Sequence, residues 1–203
     1  MQTHKRFSVL LLVFLLAACV AAPTVPVTRR YTLEPVAHGV GSSTPASVTT
    51  AQKTLVVAKV ILPGYLNRQP IVHRKGSKIL VDDYQLWAEP LMDATPRILV
   101  ANMVHALPEI HVVQQSEERA DWKLFVRIER YEAVDDRAVE LDARWSLVDK
   151  KGKTVMSNQI ALEQLIPDGK FAGDDLSDVV NAHGKLLAEL SEAISRDIRP
   201  LAD

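Results

Sequence analysis

The longest alternation of apolar and polar residues extends over three consecutive segments, residues 122–129, 139–147 and 154–162. In the first two, every second residue is apolar and most of the residues between are charged. A period of two places the apolar side chains on one face of a β-strand and the polar ones on the other. A turn-forming sequence, DKKG at 149–152, separates the last two segments. The pattern predicts an antiparallel meander with one face exposed to water.

Shorter strands are predicted earlier in the chain. Residues 54–62 (TLVVAKVIL) are apolar on both faces apart from Lys59, which is typical of a strand covered on both sides. Residues 71–74 and 78–81 flank the turn sequence KGS at 75–77 and predict a hairpin. Two further short strands are expected at residues 31–33 and 111–113.

Two segments have the three- and four-residue apolar spacing of amphipathic helices, residues 89–107 and 176–198. Pro96 either begins the first helix behind a Thr95 cap or lies inside it and kinks an earlier turn. Gly184, which costs about 1 kcal/mol relative to alanine in a helix, indicates close approach of another backbone. Together these elements predict an α+β fold: a two-layer sandwich with both helices on one face of a mixed, mostly antiparallel sheet.

The beginning of the chain has the pattern of a bacterial lipoprotein signal peptide. A positively charged start precedes ten residues, 7–16, of which only Ser8 is polar. This stretch is shorter than the about 20 apolar residues that cross a bilayer. The sequence LAAC at 16–19 then matches a lipobox, so we predict cleavage of residues 1–18 and acylation of Cys19, the sole cysteine. The alternative is that the segment is not cleaved and itself anchors the chain, with Cys19 present there by chance.

The predicted mature chain divides into a tether and one domain. Residues 19–52 comprise the lipidated cysteine, a tether and an irregular loop, and residues 53–200 form a single domain. The stretch 20–28 reaches at most about 30 Å when extended, and acyl chains on Cys19 would hold the protein on a membrane. Val20 rather than Asp follows the cysteine. By resemblance to sorting rules in enteric bacteria, this predicts the outer membrane, with the domain facing the periplasm.

Composition excludes several classes of function. With 24 basic and 25 acidic residues, the chain has no positive excess that would attract nucleic acid. Removal of the signal peptide leaves 22 basic residues against the same 25 acidic ones. One cysteine cannot form an internal disulfide, and six histidines with one thiol do not make a Cys/His zinc cluster.

No motif indicates catalysis, and the chain is not expected to be an enzyme or to need a cofactor or metal. The sequence GKT at 152–154 resembles the end of a phosphate-binding loop, but Leu147 stands where the loop needs glycine. His183, on the apolar face of the last helix, is either a core histidine or a ligand or pH sensor. The carboxylates Glu132, Asp135 and Asp136 are either solvated turn residues or a cation site.

The segment 62–72 joins two apolar strands and carries Tyr65, Leu66 and Arg68, residue types that serve as contact anchors. Trp87 and Glu89 follow the next hairpin. In one interpretation Tyr65 and Trp87 cap the core and Arg68 pairs with a carboxylate such as Glu89. In the other, these five residues contact a partner. The second predicts that alanine at Tyr65 or Arg68 weakens partner capture with little effect on melting.

Several of these motifs occur together in one known family. The sequence LPGYLNRQPIVHR at 62–74, with WAEPL at 87–91, resembles the PqiC (YmbA) family of ABC-type transport auxiliary lipoproteins. The lipobox, the YTL sequence at 31–33 and VVNAHGKLLAEL at 179–190 also match in place. This chain departs from the family pattern at Asn67, where aspartate is usual, at the inverted Gln69-Pro70, and at Leu86, which replaces an arginine.

The resemblance implies a non-catalytic component of a lipid-transport system that works between two membranes. Its partners would be an MCE-domain protein similar to PqiB and the associated inner-membrane transporter, which this lipoprotein would dock at the outer membrane. The resemblance further implies self-association into a homo-oligomer such as a ring. Two alternatives have different requirements: a lipid carrier needs an apolar cavity for acyl chains, and a hydrolase needs a nucleophile and a base in one cleft.

Overall fold

The computed structural model describes residues 26–36, 53–114, 120–167, 171 and 175–201. Within them, eight strands form one mixed sheet, and two helices and two one-turn 3-10 helices complete the fold. The strands are β1 (Arg29–Tyr31), β2 (Thr54–Ile61), β3 (Pro70–Lys75), β4 (Lys78–Trp87), β5 (His111–Gln114), β6 (Trp122–Val134), β7 (Ala138–Asp149) and β8 (Thr154–Leu165). The helices are α1 (Leu91–Ala106) and α2 (Ser177–Ile198), and the 3-10 turns are Gly64–Leu66 and Arg199–Leu201.

Strand β6 organises the sheet. One of its edges pairs with antiparallel β7 along the whole strand, and β8 continues this meander. The other edge is shared by β2, parallel to the first half of β6, and by β3, which is parallel to it only where His73 and Arg74 lie opposite Ala133 and Val134. β5 flanks β2, while β4 and β1 extend the sheet beyond β3. The predicted meander is confirmed, and the sheet is mixed, with its longest pairings antiparallel.

Both helices cover one face of the sheet, which confirms the predicted two-layer α+β sandwich. α1 packs on β2 and β5, and α2 packs on β7 and β8. In β6, residues 122–129 alternate between buried side chains that face the helices and exposed ones, as the period of two requires. α2 contributes a buried stripe that includes Leu186, Leu190 and Ile194.

Three elements differ from their predicted form. Strand β4 continues to Trp87, because its pairing with β3 resumes at Leu86 after an irregularity beyond Asp82 and β1 pairs with residues 85–87. Helix α1 begins at Leu91, so Pro96 lies inside it and the alternative with Pro96 as first residue is wrong. β2 is buried on both sides only over its first half, since Lys59 is exposed.

The N-terminal strand β1 lies within the segment assigned to tether and loop, yet it joins the sheet beside β4. The Tyr31 hydroxyl donates to Oε1 of Gln85 (2.8 Å) and accepts from the backbone N–H of Leu176 (3.0 Å), so it links β1, β4 and the start of α2. Glu34 then passes Gly184, its carbonyl oxygen 3.7 Å from where a β-carbon would lie. A second backbone does pass Gly184, but at ordinary van der Waals distance, so the close approach predicted for this glycine is not seen.

The predicted signal peptide, Cys19 and residues 37–52 lie outside the described residues. Among the helices that are described, none is both long and apolar enough to cross a bilayer.

Candidate functional site

The β2–β3 loop, residues 62–69, is held by backbone hydrogen bonds at both ends. The 3-10 turn is closed by Leu66 N–H to the Pro63 carbonyl (3.0 Å) and Asn67 N–H to the Gly64 carbonyl (3.1 Å). At the other end the carbonyl of Gln69 accepts from Trp87 N–H at 2.7 Å. The loop therefore has a defined path between β2 and β3.

A buried carboxylate fixes the middle of this loop. Glu132 of β6 has no exposed surface, and its Oε2 accepts from the Tyr65 hydroxyl (2.8 Å) and from the N–H of Tyr131 (2.9 Å). Its Oε1 accepts from Nε of Arg74 at 2.8 Å, and Nη2 of Arg74 lies 2.7 Å from the same oxygen. We call Tyr65, Arg74 and Glu132 the Glu132 cluster. It joins the loop, β3 and β6 through one carboxylate.

The negative charge of Glu132 is compensated within the cluster. Burial, together with the bonded Glu132 carboxylate, raises the pKa of Tyr65 to about 12, so the phenol remains a donor. The hydrogen bond to Glu132 raises the pKa of Arg74, which remains charged. A buried carboxylate is tolerated where a cation and further donors satisfy it, as here.

The structure divides the five predicted contact residues into two groups. Leu66 and Trp87 are 2% and 3% exposed and belong to the core, so the core interpretation holds for them and they present no side chain to a partner. Tyr65 is half-buried and rests against the core, whereas Arg68 is exposed. The partner role of Tyr65, Arg68 and Glu89 stays a prediction.

The pairing expected between Arg68 and Glu89 is wrong. Glu89 pairs with Arg97 instead, because Glu89 lies just before the first turn of α1, which begins at Leu91 and carries Arg97. Arg68 makes no ion pair within the described part of the chain. Its guanidinium is therefore available on the loop surface.

Neither interpretation of Glu132, Asp135 and Asp136 is correct for the whole group. Glu132 is buried in its cluster, while Asp135 and Asp136 have φ of 49° and 59° and form the β6–β7 turn. Asp135 accepts from Gly76 N–H at 3.0 Å, and Asp136 pairs with Lys75 at 3.2 Å. The described residues hold no group of three or more His, Cys, Asp or Glu side chains arranged for a metal ion. The Glu132 cluster was not predicted from the sequence, because 67 residues separate Tyr65 from Glu132 along the chain.

His183 is a core histidine, as one interpretation predicted. It is 1% exposed, its Nδ1 lies 2.8 Å from the Val179 carbonyl oxygen, and its ring packs against Trp87 and Tyr131. The Tyr131 hydroxyl donates to the carbonyl of His183 at 2.9 Å. Burial lowers the pKa of His183 to about 4, so the ring is neutral at neutral pH.

This chain is similar to two intermembrane transport lipoproteins and to two proteins of known structure. The intermembrane transport lipoprotein PqiC of Escherichia coli (strain K12) is 26% identical over 198 residues, covering 97% of this chain and 99% of that protein. PqiC of Shigella flexneri matches equally well. A crystal structure of an uncharacterized protein has a TM-score of 0.69 at 23% identity, covering 85% of this chain and 99% of its own. Protein XCC0632 from Xanthomonas campestris has a TM-score of 0.64 at 18% identity, covering 83% and 93%. At these identities the two structures show a shared fold alone.

Most of the chain also matches one family model. The model of the ABC-type transport auxiliary lipoprotein component matches residues 31–195, which include the β2–β3 loop and the Glu132 cluster. This chain therefore belongs to the family of ABC-type transport auxiliary lipoprotein components.

Proposed function

We propose that this protein is a non-catalytic docking subunit of an intermembrane lipid-transport system, held on the periplasmic face of the outer membrane by acylated Cys19. The auxiliary role follows from the family, and the relative in Escherichia coli is an intermembrane transport lipoprotein. The docked partner would be an MCE-domain protein similar to PqiB, together with its inner-membrane transporter. The lipobox at 16–19 supports the anchor.

The observation that carries this proposal is an exposed arginine on a loop held by buried contacts. Arg68 lies three residues after Tyr65, whose hydroxyl is bound to the fully buried Glu132. A preorganised loop loses little backbone entropy when it binds, and arginine is enriched among the residues that dominate interfaces. The loop therefore has the properties of a contact surface.

The test compares Arg68→Ala with Lys78→Ala, which removes an exposed cation from the tip of the β3–β4 hairpin. Intact cells are crosslinked, the lipoprotein is purified, and the co-purified MCE-domain protein is quantified. We expect capture by Arg68→Ala to fall about tenfold with melting unchanged, and capture by Lys78→Ala to equal that of the wild type. Equal capture by both variants would contradict the proposal.

The structure changes the expectation for Tyr65. Alanine at this position would leave Oε2 of the buried Glu132 without its phenol donor, so the variant should melt earlier, contrary to the sequence-based expectation. Tyr65→Phe keeps the ring and removes only the hydroxyl, at a cost of about 1–3 kcal/mol. Partner capture by Tyr65→Phe is therefore measured at a temperature at which the variant is folded. Any loss of capture then reports on docking and not on stability.

A lipid-carrier function receives less support. An open cleft of about 390 Å³ lies between residues 32–36 and α2, but Glu34, Asp178 and Lys185 are among its lining residues. Charged groups are unfavourable neighbours for acyl chains. Native lipid retained in this cleft after purification would favour the carrier over the docking subunit.

A further inference from the structure

The face of the sheet opposite the helices bears an aromatic side chain with two cations beside it. Phe125 of β6 is 39% exposed, and Lys59 lies directly opposite it on β2. Arg127, two residues further along β6, points to the same face and is also exposed. The bulge in β2 between Val57 and Lys59 places Lys59 beside Phe125. We call Lys59, Phe125 and Arg127 the basic sheet face.

A cleft of about 270 Å³ opens at this face, near the lower end of the sizes of small-molecule sites. Its lining includes the cations Lys59, Arg127 and Arg144, together with Phe125, and no described carboxylate. The cleft thus combines positive charge with an apolar ring.

The charges that surround the cleft leave two cations uncompensated. Arg144 pairs with Glu129 at 2.6 Å, whereas Lys59 and Arg127 have no ion-pair partner in the described part of the chain. Further along this side of the sheet, Glu140 and Asp142 are both engaged by Arg130. A local positive excess on a chain with more acidic than basic residues is a specific surface feature.

We propose that the basic sheet face binds the headgroup of an anionic phospholipid in the membrane that anchors the protein. The phosphate would lie between Lys59 and Arg127, with the glycerol and the first methylenes against Phe125. A tether of about 30 Å from Cys19 keeps the domain within reach of the lipid surface, and Lys and Arg side chains are attracted to anionic lipid. The inference rests on the membrane anchor of the proposed function.

The test places a photocrosslinker, p-benzoylphenylalanine, at residue 125 of the full chain in intact cells. The same amino acid at Tyr84, an exposed aromatic on the β3–β4 hairpin, is the control. After irradiation, mass spectrometry of the purified lipoprotein identifies what is attached. We expect a glycerophospholipid adduct at position 125 and none at position 84.

Charge variants then test the headgroup contact. In the residue-125 background, Arg127→Gln should lower the yield of lipid adduct about fivefold, the effect of one cation near an anionic surface, and Lys59→Gln should do the same. Lys78→Gln removes an equal charge from the hairpin and should change nothing. Equal yields from all three variants would overturn the headgroup assignment.

Other outcomes at residue 125 overturn the inference. A protein adduct would show that this face binds an acidic partner, and no adduct in correctly acylated protein would show that it binds neither. Capture of the MCE-domain protein from the same cells is measured separately. Absence of a lipid adduct at residue 125 in the otherwise unchanged protein, with capture of the MCE-domain protein intact, therefore refutes the lipid site and leaves the docking function standing.

Discussion

The hydroxyl of Tyr65 donates a 2.8 Å hydrogen bond to Oε2 of Glu132, a carboxylate with no exposed surface. Tyr65 lies in the loop after β2 and Glu132 lies near the end of β6, so the contact closes a separation of 67 residues. It depends on the short parallel pairing of β3 with β6, which also brings Arg74 to the same carboxylate. Loop position and sheet register are therefore coupled through one buried charge.

Arg74→Met should destabilise the protein by about 3–5 kcal/mol, because it leaves the Glu132 charge buried without its cation. Methionine keeps much of the aliphatic volume, so the change reports mainly on charge. Urea denaturation at neutral pH measures the free energy of unfolding.

Arg137→Met is the matched control for this change. Arg137 pairs with Glu163 at 2.7 Å, the same distance as Arg74 to Glu132, but its side chain is 68% exposed and that of Glu163 is 45% exposed. Exposed pairs contribute between 0 and about 1 kcal/mol. Similar losses for the two variants would contradict the account of the Glu132 cluster.

Acidification should destabilise the fold through His183. Its pKa is about 4 in the folded protein and about 6.5 in an unfolded chain, so between these values the unfolded state binds more protons. The stability that the neutral ring contributes is complete above pH 6.5 and is lost as the pH falls toward 4. Between pH 7 and pH 5 the loss is about 2 kcal/mol.

Urea denaturation of His183→Gln at the two pH values isolates this effect. The lowered pKa of His73, caused mainly by burial, contributes in the same direction and remains in the variant. We expect the pH dependence of unfolding to decrease by about 2 kcal/mol in His183→Gln. An unchanged pH dependence in His183→Gln would show that the ring is not buried as described.

Gly184→Ala should stabilise the protein by about 0.5–1 kcal/mol. The added methyl group would lie 3.7 Å from the Glu34 carbonyl oxygen, an ordinary contact, in the middle of α2. Gly76→Ala is the opposing control, because Gly76 has a φ of 57° that alanine adopts only with strain. A lower melting temperature for Gly184→Ala would mean that the Glu34 backbone is closer to the helix than described.

Local patterns predict a large part of this fold. Single continuous segments show the period of two in β6 and β7 and the apolar stripe of α2. The meander and the helix layer therefore follow from local sequence. The turn at 75–77 likewise predicts the β3–β4 hairpin. These features need no knowledge of distant residues.

The Glu132 cluster could not be predicted in this way, because it depends on pairings between remote segments. A bulge between Ile128 and Arg130 changes the faces of β6, so residues beyond it no longer follow the alternation that precedes it. The parallel contact of β3 with β6 brings Arg74 to Glu132, and the preceding loop brings Tyr65. The adjacent Asp135 and Asp136 signal a turn with positive φ, and this signal could have separated them from Glu132.

A Cys19→Ser chain decides whether the acylated cysteine anchors the protein and its partner. Cells are fractionated to locate the lipoprotein, and crosslinked partner is quantified in the same samples, with Ser8→Cys as a control that leaves the lipobox intact. We expect that Cys19→Ser is not acylated, is absent from the outer-membrane fraction and fails to retain the MCE-domain protein there. Full recovery of unacylated protein and its partner in the outer-membrane fraction would contradict it.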